Sequence, residues 1–428
     1  MYRKIMDYLK EWKGSEHRKP LILQGARQVG KTYSILEFGR TCYENVAYFN
    51  FETNPKLNET FAENISPDYL IPILSHIAGQ TIIREKTLIV FDEVQLCERA
   101  LTSLKYFCED APEYHIIVAG SLLGVAVNRA RFSFPVGKVD MKTLYPMDME
   151  EFMLAMGEEQ LVELIKKCFQ TDSPMPAALH DAAMQLYRQY LVVGGMPECV
   201  MQFIQTKDYI LVRNTQNTIL ASYLNDMSKY NNLNEIKKTR LAYDNITVQL
   251  SKKNTRFQYK LIKKGGRASE FENAIEWLCL SGIVSQVYKV EQIKKPLENY
   301  RDIDAFKIYV SDLGLLCAKK ELMANDILYM VKELDDFKGG MTENYVNVQL
   351  SINGYHTYYW ESARGAEIDF VIQREGKLIP IEVKSADNTR AKSLKIYMDT
   401  YEPDYAIKLS AKNFAFEDRK KIVPLYAA

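Results

Sequence analysis

The sequence lacks a long apolar run, which a membrane-spanning protein needs. It also lacks an excess of charge of one sign, which would indicate a highly charged partner. No stretch of the 428 residues approaches the ~18 apolar residues that a membrane-spanning helix requires. Lysine plus arginine equals aspartate plus glutamate, at 55 each. The overall charge therefore argues for neither a nucleic-acid nor a membrane partner, and any basic surface has to be local.

Paired cysteines are also missing. The seven cysteines are scattered, with no CxxC pair and no histidine cluster near them, which argues against structural zinc and fits a reducing compartment. We expect all seven to be packing residues. The chain opens on the charged, amphipathic segment 1–13 rather than on a secretion signal. Together these absences predict a cytoplasmic protein without a membrane partner.

What the chain does contain is a complete GxxxxGKT sequence that directly follows the apolar run 21–23. In such a loop, backbone N–H groups and the positive end of the next helix surround phosphates, while the lysine and threonine reach a phosphate oxygen and Mg²⁺. The predicted ATP-binding residues are Gly25, Ala26, Arg27, Gln28, Val29, Gly30, Lys31 and Thr32. The alternative, a glycine turn between a strand and a helix, leaves the match at all four fixed positions unexplained.

Two further apolar runs predict buried parallel strands beside this loop. The run 87–91 ends in Asp92 and Glu93, for which we predict Mg²⁺ coordination and general-base catalysis respectively. The run 115–119 ends before Ser121, whose hydroxyl either senses the γ-phosphate or caps a helix. Alternation of short apolar strands with helical stretches as far as Phe152 predicts an α/β domain with a doubly wound parallel sheet.

A basic segment, residues 251–269, lies in the middle of the chain. It holds seven basic residues, two aromatic residues and no acid, the pattern expected of a surface that meets nucleic-acid phosphates, with DNA as the first expectation. A helical pattern at 271–278 and a strand pattern at 282–288 follow it, an order typical of a winged-helix module. The alternative is a solvated basic face that packs against an acidic neighbour.

The C-terminal hundred residues contain a second group of candidate residues. Residues 367–372 and 378–385 are predicted as the two strands of a hairpin that turns at Gly376. Because alternate strand residues share a face, Glu382 and Lys384 point the same way and Asp369 can lie beside them. Two carboxylates and an ammonium suit a Mg²⁺ or Mn²⁺ ion and phosphodiester hydrolysis. The alternative is an exposed cross-strand ion pair. Glu343, in the helical run 342–350, supplies a further carboxylate.

These motifs, taken in order, resemble a widespread prokaryotic family that joins an AAA-type ATPase domain to a C-terminal domain of unknown function. They are GARQVGKT, LIVFDEVQ, VAGSLLG, YLVVGGMPE, FKIYVSDLGLL and ENY…EIDF…IEVKS. The C-terminal part is similar to the PD-(D/E)xK nuclease fold. The resemblance implies ATP binding at 25–32, Mg²⁺ binding and catalysis at Asp92 and Glu93, and a nuclease centre at Glu343, Asp369, Glu382 and Lys384.

Four domains follow from these patterns. We expect an ATPase domain at 1–152, a helical connector at 153–234, a winged-helix-like module at 235–320 and a nuclease-like domain at 321–428.

One position departs from the family pattern, because Lys138 stands where many relatives carry an arginine after the glycine. A lysine cannot make the bidentate phosphate contact of arginine. Arg129 or Arg131 is then a candidate arginine finger for a neighbouring subunit, and homo-oligomerisation stays an open expectation. Two functions remain: an ATPase that couples turnover to nucleic-acid engagement and metal-dependent cleavage, or a nucleotide-controlled switch whose nuclease-like domain is a scaffold.

Overall fold

The computed structural model describes residues 1–120, 134–229, 233–252, 256–385 and 392–428. Ser121, Arg129, Arg131 and Lys253 therefore lie outside the described residues. The chain divides into two compact units, one formed by residues 1–145 and 280–282, the other by residues 146–279 and 283–428. The four-domain division proposed from the sequence stays a prediction.

The first unit is built on a five-stranded sheet in the order β2-β3-β4-β1-β5, in which every neighbouring pair is parallel. Its strands are β1 (Leu21–Gln24), β2 (Asn45–Asn50), β3 (Thr87–Asp92), β4 (His115–Gly120) and β5 (Asp140–Thr143). Its helices are α1 (Ile5–Gly14), α2 (Lys31–Cys42), α3 (Leu57–Glu63), α4 (Pro67–Ala78) and α5 (Glu98–Asp110). Both β3 and β4 are buried along their whole length, as continuous apolar runs predict for parallel strands. The predicted parallel α/β sheet is confirmed.

The second unit begins with a helical region, as its apolar periodicity predicts. Its helices are α6 (Met149–Ala155), α7 (Glu159–Thr171), α8 (Ala177–Val193), α9 (Pro197–Thr206), α10 (Tyr209–Lys229), α11 (Leu233–Leu250), α12 (Tyr259–Ile262) and α13 (Ala268–Leu280). Asp148 begins α6 with a reciprocal cap, accepting from the Glu151 amide while the Glu151 side chain accepts from the Asp148 amide.

An eight-stranded mixed sheet occupies the rest of the second unit, in the order β12-β13-β11-β10-β9-β8-β6-β7. Its strands are β6 (Val284–Val290), β7 (Arg301–Val310), β8 (Tyr358–Glu361), β9 (Glu367–Arg374), β10 (Lys377–Val383), β11 (Ala406–Ser410), β12 (Ala415–Glu417) and β13 (Lys420–Pro424). The accompanying helices are α14 (Leu313–Lys319), α15 (Ala324–Leu328), α16 (Asp335–Ile352) and α17 (Lys392–Tyr401).

This sheet bears on the predicted winged-helix module. The strands β6 and β7 form an antiparallel pair, as a wing would, but β6 also pairs in parallel with β8. The pair is thus part of the sheet that carries the C-terminal candidate residues, because residues 284–310 supply two of its eight strands. A separate winged-helix module is not confirmed. The predicted hairpin of β9 and β10 is present, and Gly376 turns it with φ 74°.

Candidate functional sites

The phosphate-binding loop joins β1 to α2 in a backbone path that requires special conformations. Gly25 has φ 148°, and a Cβ atom there would lie 2.1 Å from the Leu144 carbonyl oxygen. Gly30 has φ 92°, and Gln28, although not a glycine, has φ 67°. The loop therefore depends on glycine at both fixed positions, for close approach at Gly25 and for the left-handed turn at Gly30.

The two side chains predicted to contact phosphate and Mg²⁺ are already held in the loop. The Lys31 ammonium is buried and donates to the carbonyl oxygens of Gly25 at 2.9 Å and Ala26 at 2.8 Å. The Thr32 hydroxyl donates to Asp92 Oδ2 at 2.8 Å. The threonine of the loop and the aspartate at the end of β3 thus meet as predicted, with the oxygen atoms that Mg²⁺ prefers.

Asp92 has a second donor that the sequence did not reveal. The Tyr48 hydroxyl, on β2, donates to Asp92 Oδ2 at 2.7 Å and accepts a hydrogen bond from Asn50 Nδ2. Burial, together with the neighbouring Asp92, raises the pKa of Tyr48 to about 12. The hydroxyl therefore remains a donor at neutral pH and fixes the carboxylate that faces Thr32.

Glu93, the predicted general base, follows Asp92 in a left-handed conformation with φ 53°. Its carboxylate accepts from Gln95 Nε2 at 2.5 Å. Burial raises the pKa of Glu93; the Gln95 hydrogen bond opposes this rise, and the charge of Asp92 adds to it. A raised carboxylate pKa suits a group that accepts a proton near neutral pH.

Arg3 is a residue of this site that sequence reasoning missed. Its buried guanidinium donates to the carbonyl oxygen of Val29 at 3.0 Å and to that of Tyr145 at 2.8 Å. This contact with the loop comes from the start of the chain. No signal in the sequence links position 3 to the loop. Lys138 forms an ion pair with Glu109 at 2.8 Å.

The second candidate site lies where β7, β9, β10 and α16 meet. The structure brings together Asp369 on β9, Glu382 on β10, Lys384 just after β10, and Glu343 on α16. Lys384 Nζ lies 2.8 Å from Glu382 Oε1, and Asp369 Oδ2 accepts from the Val383 amide at 2.7 Å. Glu382 is 2% exposed, and its Oε2 atom has no hydrogen-bond partner within the described ranges. An exposed cross-strand ion pair is thereby excluded.

Burial and like charge act on Asp369. Burial raises its pKa, the charge of Glu343 raises it further, and Lys307, Lys384 and the Val383 amide lower it, which leaves a pKa of about 7. Burial lowers the pKa of Lys384, but the nearby carboxylates raise it more, so the net shift is upward. Lys384 is therefore an ammonium at neutral pH, whereas Asp369 is divided between its protonated and ionised forms.

Lys307 on β7 is the residue of this site that sequence reasoning missed. Its ammonium is buried and lies 2.5 Å from Glu367 Oε1 and 3.3 Å from Glu343 Oε2. The Tyr309 hydroxyl donates to the same Glu343 oxygen at 3.0 Å. The alternation of Lys307 and Tyr309 with apolar neighbours was visible in the sequence, but nothing there indicated which carboxylates they meet.

The fit of a divalent cation to this site follows from its charges and ligands. Four carboxylates, from Glu343, Glu367, Asp369 and Glu382, face the ammonium groups of Lys307 and Lys384. The charge of Lys408, the neighbour of Glu382 on β11, also acts on Glu382, so full ionisation leaves an excess of one negative charge. No three acidic, histidine or cysteine side chains among the described residues are arranged to hold a metal ion. Asp369 and Glu382 still fit Mg²⁺, which is often held by one or two carboxylates while water and substrate phosphate fill its other positions.

The basic segment is exposed, but its aromatic residues are not. Lys252, Arg256 and four further basic residues lie at the surface: Lys260, Lys263, Lys264 and Arg267. Phe257 is buried and stacks on Phe306 with ring centroids 5.5 Å apart. The positive surface is thus present. The aromatic residues serve packing, and base stacking on them has no support.

Two other expectations concern cysteines and membranes. All seven cysteines are free thiols; four of them, Cys97, Cys168, Cys199 and Cys317, are buried, and the other three are half-buried. Across the part of the chain that the structure describes, no helix is long and apolar enough to cross a membrane.

Three segments of the chain match family models. Residues 17–153 match a family described as "AAA domain", residues 184–326 match "Domain of unknown function (DUF8612)", and residues 338–428 match "Domain of unknown function (DUF4143)". No curated protein matches the chain.

Several solved structures are similar to this chain. A Walker-type ATPase of Pyrococcus abyssi is 13% identical, with a TM-score of 0.44 over 74% of this chain and 95% of that one. The ORC2 protein of Aeropyrum pernix is 12% identical, with a TM-score of 0.32 over 76% and 91%. The RuvB Holliday junction branch migration motor of Thermotoga maritima is 14% identical, with a TM-score of 0.30 over 66% and 87%.

TM-scores this low do not indicate a function. The type of the first domain is therefore inferred from the family match and from the geometry of the phosphate-binding loop. The AAA match spans all five parallel strands and the phosphate-binding loop between β1 and α2. Residues 17–153 therefore form a P-loop ATPase domain of the AAA type, and residues 338–428 belong to a domain of unknown function.

Proposed function

We propose that the chain is an ATP-dependent enzyme that couples nucleotide turnover to the engagement and metal-dependent cleavage of nucleic acid. In the ATPase domain, Lys31 leaves its two carbonyl partners to contact a phosphate oxygen. Thr32 and Asp92 hold Mg²⁺, which neutralises charge on the phosphates. Glu93 accepts the proton of the attacking water.

In the C-terminal site, Asp369 and Glu382 hold one divalent cation, Mg²⁺ or Mn²⁺. The bound cation supplies Lewis-acid stabilisation of charge on the scissile phosphate. Lys384 lies beside Glu382, where its ammonium orients a water molecule or stabilises negative charge on the phosphate. Glu343 contributes its charge from α16. The exposed cations of the basic segment contact the phosphates of the nucleic acid, DNA in the first instance.

One observation carries the nuclease half of this proposal: the unpartnered, buried Oε2 atom of Glu382. An ionised carboxylate oxygen without a partner is costly inside a protein, because burial removes its hydration. A cation that binds Glu382 and Asp369 supplies the missing partner.

A second candidate function is a nucleotide-controlled switch with a non-catalytic C-terminal scaffold. The ion pairs of Lys384 with Glu382 and of Lys307 with Glu343 and Glu367 favour it, because they partly neutralise the carboxylates without a metal. In this alternative the bound nucleotide alters the affinity of the C-terminal domain for a partner.

The test is cleavage of labelled single- and double-stranded DNA with Mg²⁺ or Mn²⁺, in the presence and absence of ATP. We expect wild-type protein to cleave, and we expect both Lys384→Ala and Lys31→Ala to lose ATP-dependent cleavage. Lys377→Ala is the matched control, because Lys377 begins the strand that ends just before Lys384, is exposed and pairs with Asp404. If no DNA is cleaved by any of these proteins, the switch becomes the better description.

A further inference from the structure

Lys307 is unusual because a fully buried ammonium lies among the carboxylates proposed to bind a cation. Its side chain is 2% exposed, and its charge is matched from two elements, by Glu367 on β9 and by Glu343 on α16. A buried lysine persists as a cation only where such partners compensate the lost hydration. Burial lowers the pKa of Lys307, but Glu343, Tyr309, Glu367 and Asp369 raise it more, so the net shift is upward.

The oxygen atoms of Glu343 and Glu367 that face Lys307 already have partners. Glu343 Oε2 lies 3.3 Å from the Lys307 ammonium and accepts the Tyr309 hydroxyl at 3.0 Å. Glu367 Oε1 lies 2.5 Å from the same ammonium. Glu343 and Glu367 are therefore held together by a protein cation.

Asp369 and Glu382 form the opposite case. Glu382 Oε2 is buried without a partner among the described residues, and Asp369 Oδ2 accepts a single backbone amide. Each pair of carboxylates has one ammonium beside it, Lys384 for this pair and Lys307 for the other, so the pairs differ in their oxygen atoms rather than in charge. Of the four acids, Glu382 alone has a buried oxygen without a partner among the described residues. The four acids thus divide into an open half and a half whose oxygen atoms contact Lys307 and Tyr309.

We propose that the C-terminal site takes one divalent cation, at Asp369 and Glu382, and that the Lys307 ammonium fills the place of a second cation between Glu343 and Glu367. The inference rests on the proposed function. In this proposal Lys307 is a positioning residue. It holds Glu343 in place and limits the site to one metal ion. A two-metal phosphodiesterase would instead need both pairs of carboxylates for cations.

The experiment is a Mn²⁺ titration of the full chain without nucleotide, followed by electron paramagnetic resonance of the free ion. Ions bound to an Asp369→Asn, Glu382→Gln double variant are subtracted, which isolates the C-terminal site. We expect one Mn²⁺ in wild-type protein and in Lys307→Arg. We expect two in Lys307→Met, because removal of the ammonium leaves Glu343 and Glu367 without a counter-charge. The exposed Lys377→Met is the control and should bind one.

Two ions in wild-type protein, or one ion in a folded Lys307→Met, would overturn the proposal. No difference between wild-type protein and the double variant would overturn the proposed nuclease centre itself, and this inference with it. Circular dichroism and thermal unfolding establish whether Lys307→Met folds.

If Lys307→Met does not fold, Glu343→Gln supplies the second test. Because Glu343 is committed to Lys307 and Tyr309, we expect this variant to retain the single Mn²⁺. A loss of affinity greater than about tenfold, the size expected when a ligand or its direct partner is removed, would contradict the division of the site.

Discussion

At the scale of single residues, buried polar side chains hold both candidate sites in place. Arg3 braces the phosphate-binding loop, Tyr48 fixes Asp92, and Lys307 fixes Glu343. Each comes from a segment far from the motif that it supports. Removal of such a residue should therefore alter a site while its motif residues remain intact.

The first prediction concerns Arg3→Met. The change removes two charge-assisted hydrogen bonds to the Val29 and Tyr145 carbonyl oxygens, each worth about 1.5–3 kcal/mol. We expect a lower melting temperature and weaker binding of a fluorescent ATP analogue, because Arg3 no longer holds the backbone of the loop at Val29. Arg40→Met is the control, since Arg40 is exposed and pairs with Glu37 on its own helix. Unchanged analogue affinity in Arg3→Met would contradict the bracing role.

The second prediction concerns pH and His115. Burial, with further contributions from Arg18 and Lys13, lowers the pKa of His115 from 6.5 to about 4. Between these pH values the unfolded chain binds a proton that the folded chain does not, so stability falls as pH drops from 6.5 to 4. We expect the melting temperature of His115→Asn to depend less on pH in this window than that of wild-type protein. The exposed His17→Asn should behave as wild type.

At the scale of elements, the turn between α8 and α9 is held by one aspartate. Asp312 precedes α14, accepts the Leu315 amide at 2.8 Å and accepts the Gly195 amide at 2.7 Å. Gly194 in this turn has φ 76° and ψ −172°, a region open almost only to glycine. The segments YLVVGGMPE and FKIYVSDLGLL are therefore joined by Asp312, which explains their glycines and aspartate in structural terms.

The third prediction is that Gly194→Ala destabilises the second unit by about 3 kcal/mol or more, from backbone strain and steric clash together. A Cβ atom there would lie 2.3 Å from Asp312 Oδ1 and 2.8 Å from the Gly314 amide. Chemical denaturation checks this value. Gly354→Ala is the matched control, because Gly354 has φ 82° with open space around it, so that only the backbone term applies. Equal costs in the two variants would show that the Asp312 contact contributes nothing.

The fourth prediction concerns the basic segment. Charge reversal of the exposed residues Lys252, Lys260, Lys263 and Lys264 should weaken DNA binding and flatten its dependence on salt, because fewer counterions are released. Fluorescence anisotropy at several salt concentrations measures both quantities. An equal number of reversals at exposed lysines elsewhere, beginning with Lys377, controls for net charge. Unchanged affinity and an unchanged salt dependence would mean that the segment does not bind DNA and is only a solvated surface.

Local patterns predicted the elements better than their assembly. The strands around residues 21, 46, 88 and 116 and the hairpin turning at Gly376 were predicted because runs of apolar residues and turn glycines act over short distances. The placement of β6 beside β8 was not predicted, because pairing between distant strands depends on the whole sheet. The same reason hid Lys307: its partners come from β9 and α16.

The helix α16 is a second example of tertiary contacts that the sequence did not predict. Its sequence predicted a helix and one useful carboxylate, Glu343, but it is buried along most of its length and carries polar residues inside. The Asn344 side chain accepts a hydrogen bond from the Val310 amide and donates one to the Val310 carbonyl oxygen. Asn347 Oδ1 accepts a hydrogen bond from the Thr357 hydroxyl. Such residues resemble a solvated helix face in the sequence, since only the tertiary partners distinguish the two cases.

At the scale of the whole molecule, the phosphate-binding loop and the C-terminal carboxylates belong to different compact units. The fifth prediction uses this separation in differential scanning calorimetry. A non-hydrolysable ATP analogue with Mg²⁺, at a hundred times its Kd, should stabilise the first unit by about 2.7 kcal/mol and raise its transition. Lys31→Ala should abolish the effect. Coupling predicts that the transition of the second unit also moves, and an unmoved second transition would contradict coupling while leaving ATP binding intact.

The continuous sheet of the second unit has a consequence for synthesis of the chain. The pair β6 and β7 emerges first, but the inner edge of β6 finds its partner, β8, only after about fifty more residues, which takes several seconds at ribosomal rates. Until then an unpaired strand edge is open to other chains, a known route to aggregation. Truncation within residues 311–357 leaves that edge exposed permanently. Expression yield should therefore depend on chaperone supply, and the smallest soluble fragment containing β6 should extend at least through β9.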